Sequence, residues 1–101
     1  MGYAFAAPAQ AVVPIDGSTD LFPVHRIYCV GRNYADHAKE AGQPIPAEPI
    51  IFYKLTNCIC GPNDDVMIPR DSTKLDWELE IAFVVGKRSR YVDLKDAASH
   101  I

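Results

Sequence analysis

Four side chains in this sequence have types and spacings that could do chemistry. Glu78 and Glu80 are separated by one residue. On an extended segment they leave the same face, with Cβ atoms about 6.5–7 Å apart. Flexible carboxylates at that separation can converge on one cation, and hard divalent ions take oxygen ligands while keeping other positions for water. Two like charges near a covered interior are costly unless a cation neutralises them. The same spacing fits a solvated strand edge with Lys or Arg partners, and spacing alone leaves both readings open. His37 and Glu40 stand three residues apart, on one face of a helix. A carboxylate beside an imidazole fixes its tautomer and supports it as a general base toward water. The alternative is an exposed helix face with a weak surface contact.

The elements that must position these groups are legible to different depths. Leu75 to Gly86 reads as the clearest strand, with Trp77, Leu79, Ile81, Phe83 and Val85 on one face. The other face carries Asp76, Glu78, Glu80, Ala82 and Val84, so its charge is confined to the first half. Such a strand is expected to run from a polar mouth into a covered interior. A strand over Val24 to Val30, stopped by Gly31, should lead into a short helix capped by Asn33 and ended by Gly42. Arg32, Asn33 and Tyr34 sit at that strand-to-helix junction, a usual place for ligand-facing polar groups. Lys54 closes an apolar strand over Ile50 to Leu55, where it could face an anion or simply mark the strand end. His25 leads a strand and reads as structural.

The remaining segments punctuate. Pro44, Pro46 and Pro49 exclude helix and central strand between Gln43 and Pro49. Asn57 to Cys60 and Val66 to Ile68 read as short strands around a strong turn at Gly61-Pro62-Asn63-Asp64-Asp65. Residues 1–22 form an arm of Ala, Pro and Val with a turn at Asp16-Gly17-Ser18. It is expected to strap the body or to pair as a short strand around Val12 and Val13. Asp93 caps a helix beginning at Leu94, with Asp96 at the third position of a capping box. No stop signal follows before Ile101, so the sequence reads as cut within a longer protein.

Composition bounds the function. With 101 residues, 49% hydrophobic and 23% charged, the chain is globular with room for one modest core, which excludes a disordered tail. Eight prolines and six glycines call for turns and short elements, hence a mainly β fold with short helices (α+β). A formal charge of −3 supplies no basic footprint for nucleic acid. No apolar stretch is long enough to span a membrane, and no Lys or Arg precedes Arg26 to begin a signal peptide. Cys29, Cys58 and Cys60 read as buried reduced thiols, since one intervening residue does not suit a zinc pair. A reducing cytoplasm fits them.

Taken in order, Val30-Gly31-Arg32-Asn33-Tyr34-Ala35-Asp36-His37-Ala38-Lys39-Glu40, Phe52-Tyr53-Lys54, Gly61 to Asp65 with Ile68-Pro69, and Leu75-Asp76-Trp77-Glu78-Leu79-Glu80 before Val85-Gly86-Lys87 resemble the fumarylacetoacetate hydrolase superfamily. The opening from Phe22 to Gly31 is most similar to its fumarylpyruvate hydrolase / acylpyruvate hydrolase branch. The resemblance implies the N-terminal part, over 23–101, of a mixed β-roll catalytic domain preceded by the 1–22 arm. It implies a homodimer in the full-length protein, Glu78 and Glu80 as ligands to Mg2+ or Mn2+ (with Ca2+ also admissible), and His37 with Glu40 as the water-activating dyad. Arg32, Tyr34 and Lys54 are weaker candidates for substrate contact. The implied substrate is a small 2-oxo dicarboxylic acid, with no nucleic-acid or membrane partner. The implied reaction is hydrolytic C–C cleavage of an acylpyruvate such as fumarylpyruvate to pyruvate and a carboxylic acid. Decarboxylation of oxaloacetate, hydration or lysis on the same scaffold is the alternative, and an inactive fragment or binding module is a third. The family's third carboxylate ligand and a substrate lysine have no counterpart before Ile101, so the 101-residue chain alone is expected to be inactive.

Overall fold

The computed structural model describes residues 1–101, which gather into two compact units, Met1–Val66 and Met67–Ile101. The fold is mainly β with short helices, as the composition implies.

The first unit opens with a hairpin. β1 (Val12–Pro14) pairs antiparallel with β2 (Leu21–Pro23), placing Val13 opposite Phe22. The expected turn lies between them. Gly17 takes φ +73°, a backbone conformation that costs a residue with a Cβ, and the Ser18 amide donates to the Ile15 carbonyl at 3.2 Å. The arm therefore adopts the paired form. The Val24 amide extends this ladder by donating to the Ala11 carbonyl at 2.9 Å. That bond explains why the next strand starts later than its apolar run: Val24 is already committed to the first ladder.

β3 (Ile27–Gly31) and β4 (Ile50–Lys54) form the second antiparallel pair, in register from Ile27 opposite Lys54 to Gly31 opposite Ile50. Alternation holds along β3, where Ile27, Cys29 and Gly31 are half-buried while Tyr28 and Val30 face solvent. Tyr28 and Tyr53, directly opposed, meet edge to face with ring centroids 5.2 Å apart. Between the strands lies α1 (Ala35–Glu40), one residue later than expected, with Tyr34 rather than Asn33 at the N-cap. Ala38, on its inner face, is the fully buried residue of the chain.

The end of α1 follows from Gly42. Its φ of +68° lets the chain reverse, so the Gly42 amide reaches the Lys39 carbonyl at 3.1 Å and the Gln43 amide reaches the Ala38 carbonyl at 2.8 Å. These two bonds make a Schellman closure, which satisfies carbonyls a helix end would otherwise leave open. The proline-rich stretch from Gln43 then runs irregularly to β4.

Beyond β4 the expected strand over Asn57 to Cys60 is replaced by a 3-10 turn, Thr56–Cys58. Local bonds from Cys58 to Leu55 at 3.0 Å and from Ile59 to Thr56 at 3.2 Å satisfy amides that no neighbouring strand reaches. The Gly61 to Asp65 turn forms as read, with the Gly61 amide donating to Asp64 Oδ2 at 2.7 Å. The thiols are free, but burial was overstated: Cys29 is half-buried, and Cys58 and Cys60 are exposed.

In the second unit the strongest sequence expectation fails. Leu75 to Gly86 forms no strand, nor does Val66 to Ile68 at the boundary of the two units, and Trp77, Leu79 and Ile81 are each 86% exposed. Alternation specifies two faces, but a strand also needs a ladder partner for its backbone groups. The unit contains no other strand to offer one. Its regular elements are α2 (Leu94–Ala97), with Asp93 at the N-cap, and a 3-10 turn over Ala98–His100. The Asp93 side chain makes no cap bond, so the expected capping box is not formed. His100 closes this region: its carbonyl accepts from the Gly86 amide, and its Nδ1 meets Ser89 Oγ, each at 2.7 Å. No helix is long and apolar enough to cross a membrane.

Candidate active-site residues

His37 and Glu40 both lie on α1, as the spacing requires, and both are exposed. The helix is held from inside by Ala38 and from behind by the Schellman closure, so its polar face is set by backbone geometry. Arg32 and Tyr34 flank its entry. Arg32 takes φ +50°, in the left-handed region that non-glycine residues rarely occupy. That backbone twist falls between the end of β3 and the N-cap at Tyr34, where the chain changes direction into the helix. Arg32 Nη1 also donates to Gln43 Oε1 at 3.2 Å, joining the residue before the helix to the residue after it.

Arg32, Tyr34, His37 and Glu40 thus belong to one strand-to-helix segment. Lys54 does not join them. It pairs with Ile27, while Arg32 follows Gly31, which pairs with Ile50. Four strand steps separate the two ends of the ladder, about 13 Å. At its own end Lys54 lines a hollow of about 380 Å³ with His25, Arg26, Ile27, Leu55 and Asn57 among its neighbours.

Glu78 and Glu80 lie in the second unit, exposed on the segment without regular structure. Lys74 Nζ and Asp76 Oδ2 form an exposed salt bridge at 3.4 Å just before them. The donor chemistry of two carboxylates fits Mg2+ or Mn2+, which are commonly held by one or two carboxylates with water completing the shell. The chain gathers no group of three or more ligating side chains around them.

Sequence reading missed Gln43, which looks like ordinary loop polarity until the fold brings it back to Arg32. Its place immediately after Gly42 was the available signal, because a Schellman closure returns that residue toward the helix. Reading took His25 as structural and passed over Arg26; both become neighbours of Lys54 through the β3–β4 register.

A family model for the C-terminal domain of fumarylacetoacetate (FAA) hydrolase matches residues 26–101. The chain belongs to the fumarylacetoacetate hydrolase family. Among curated relatives of this family member, the mitochondrial oxaloacetate tautomerase FAHD2A of Bos taurus is 46% identical over 89% of this chain and 30% of its own length. The mitochondrial oxaloacetate tautomerase fahd2 of Xenopus laevis is 46% identical over 75% of this chain and 24% of its own. A Burkholderia cenocepacia (strain HI2424) protein provisionally named a hydrolase is 50% identical over 71% of this chain and 26% of its own. The chain therefore spans less than a third of the length of these relatives. No solved structure matches. The relatives include proteins named as a hydrolase and as tautomerases, and the span matched by the family model, residues 26–101, contains both residue pairs singled out above.

Proposed function

We propose that the protein carrying this chain acts on a small 2-oxo dicarboxylic acid through its enol or enolate, with the keto–enol tautomerisation of oxaloacetate as the favoured reaction. The observation that carries this reading is the 46% identity with a named oxaloacetate tautomerase across 89% of the chain. Tautomerisation moves one proton from the carbon beside the 2-oxo group to the oxo oxygen, with no bond between heavy atoms broken. His37 on α1 is the group suited to take and return that proton, and Glu40, one turn on, orients the imidazole. Arg32 and Tyr34, at the entry to the same helix, are the residues suited by type to hold a substrate carboxylate by charge-assisted hydrogen bonds. Glu78 and Glu80 are the residues that would hold Mg2+ or Mn2+, which supplies Lewis-acid polarisation of a 2-oxo acid when bound.

The second reading, hydrolysis of an acylpyruvate, is favoured by the pairing of residue types at His37 and Glu40 and by the relative named a hydrolase. Here His37 takes a proton from water, the resulting hydroxide adds to the distal carbonyl, and the C–C bond breaks. Its electron pair leaves as the pyruvate enolate, which then takes up a proton. Two assays on the complete protein separate the readings: decay of the enol absorbance of oxaloacetate, and release of pyruvate from fumarylpyruvate. Accelerated enol decay without pyruvate release supports tautomerisation. Pyruvate release with unaccelerated enol decay supports hydrolysis, and activity in neither assay removes both.

A further inference from the structure

We propose that Cys58 and Cys60 form a two-thiolate site for a soft monovalent metal ion of the Cu(I) class. Both thiols are free and exposed, while Ile59 between them is half-buried. Ile59 has φ −77° and ψ 127°, an extended conformation. Across one extended residue the flanking side chains leave the same side of the chain. Local bonds hold this arrangement. The Cys58 amide donates to the Leu55 carbonyl at 3.0 Å and the Ile59 amide to the Thr56 carbonyl at 3.2 Å, closing the 3-10 turn just before the pair. On the other side the Gly61 amide donates to Asp64 Oδ2 at 2.7 Å. The pair thus sits on a short extended link anchored at both ends. Cys58 Sγ lies 3.9 Å from Asn57 Oδ1, a weak local contact that ligation would release.

Geometry and ligand type decide what the pair can hold. Cβ atoms two residues apart on one side of an extended segment are about 6.5–7 Å apart, whereas a disulfide needs about 3.5–4.5 Å. Direct S–S closure therefore requires the backbone to move. Two metal–sulfur bonds of about 2.3 Å, placed end to end, span roughly 4–4.5 Å between sulfurs, a gap that rotation about the two χ1 angles can meet. Thiolate sulfur is a soft ligand that selects Cu(I) over hard ions. No third His, Cys, Asp or Glu side chain gathers with the pair, so the four ligands of a structural zinc site are not assembled. An ion satisfied by two sulfurs fits. On binding, each S–H bond breaks, its proton passes to solvent, and the freed electron pair on sulfur bonds the ion, with no change of oxidation state. No residue of the reaction proposed above takes part, so failure here leaves that reading untouched.

The test is a titration of the complete, reduced protein with Cu(I), under anaerobic conditions and against a competing chromophoric chelator. One equivalent is expected to bind at this pair, with X-ray absorption reporting two sulfur ligands. Cys58→Ser and Cys60→Ser should each weaken binding by at least about a hundredfold, because each removes the intramolecular advantage of a second linked ligand. Both side chains are exposed, so the loss reports ligation rather than packing. Cys29→Ser, on β3, should leave the affinity as it was. Cu(I) affinity unaltered by both the Cys58 and the Cys60 substitutions would overturn the proposal, and so would a spectrum without two sulfurs. Zn2+ bound as tightly as Cu(I) would overturn the assignment to a soft, two-coordinate ion.

Discussion

Arg32 Nη1 donates to Gln43 Oε1 at 3.2 Å, so the residues on either side of the six-residue helix α1 hold one another directly. A helix this short is not stable on its own propensity, since nucleation alone costs more than one turn of bonds returns. Its persistence depends on what surrounds it: Ala38 inside, Gly42 at the exit, and the Arg32–Gln43 bridge across its base. Gln43→Ala should remove the bridge without disturbing the backbone closure, at a cost of about 0.5–1 kcal/mol for an exposed hydrogen bond to a charged group. Faster hydrogen exchange at Ala41, Gly42 and Gln43 than in the parent protein would show it, and unchanged rates would show that the bridge is inconsequential.

Gly42 is the more sensitive position. Its φ of +68° is needed for both closing bonds, and nothing lies within 4 Å of where a Cβ would stand. Gly42→Ala is therefore expected to cost about 1 kcal/mol through backbone strain alone. Thermal unfolding measures this, and Gly42→Asn should cost less than Gly42→Ala, because Asn tolerates the left-handed region better.

Tyr28 and Tyr53 test the sheet register. Their edge-to-face contact across the β3–β4 pair should couple them by about 0.5–1 kcal/mol in a double-mutant cycle with Leu replacements. A coupling energy of zero would mean that the pair contributes only its separate surface areas.

The catalytic assignments divide cleanly by experiment in the complete protein. His37→Ala should lower turnover by at least about a hundredfold, the usual contribution of a positioned general base, while leaving Mn2+ binding intact. Glu78→Ala and Glu80→Ala should weaken Mn2+ binding, read by electron paramagnetic resonance, and lose turnover with it. Normal turnover in His37→Ala would remove that residue from the chemistry.

The sequence alone determined the local features, because each depends on a few adjacent residues. Glycine at positions 17 and 42 set the two reversals, the three prolines excluded regular structure after Gln43, and the spacing of His37 and Glu40 set them on one helix. The ordered motifs from Val30 to Gly86 also pointed to the family that the matched model establishes. Tertiary structure alone decided which segments found partners. The most regular alternation in the chain, Trp77 to Val85, forms no strand, whereas the brief runs at Val12 and Leu21 pair with each other. Side-chain pattern is a property of one segment, but a ladder is a property of two. For the same reason Lys54 came to rest beside His25 and Arg26, far along the sheet from Arg32. Register between distant strands fixed that neighbourhood, and no local rule carries register.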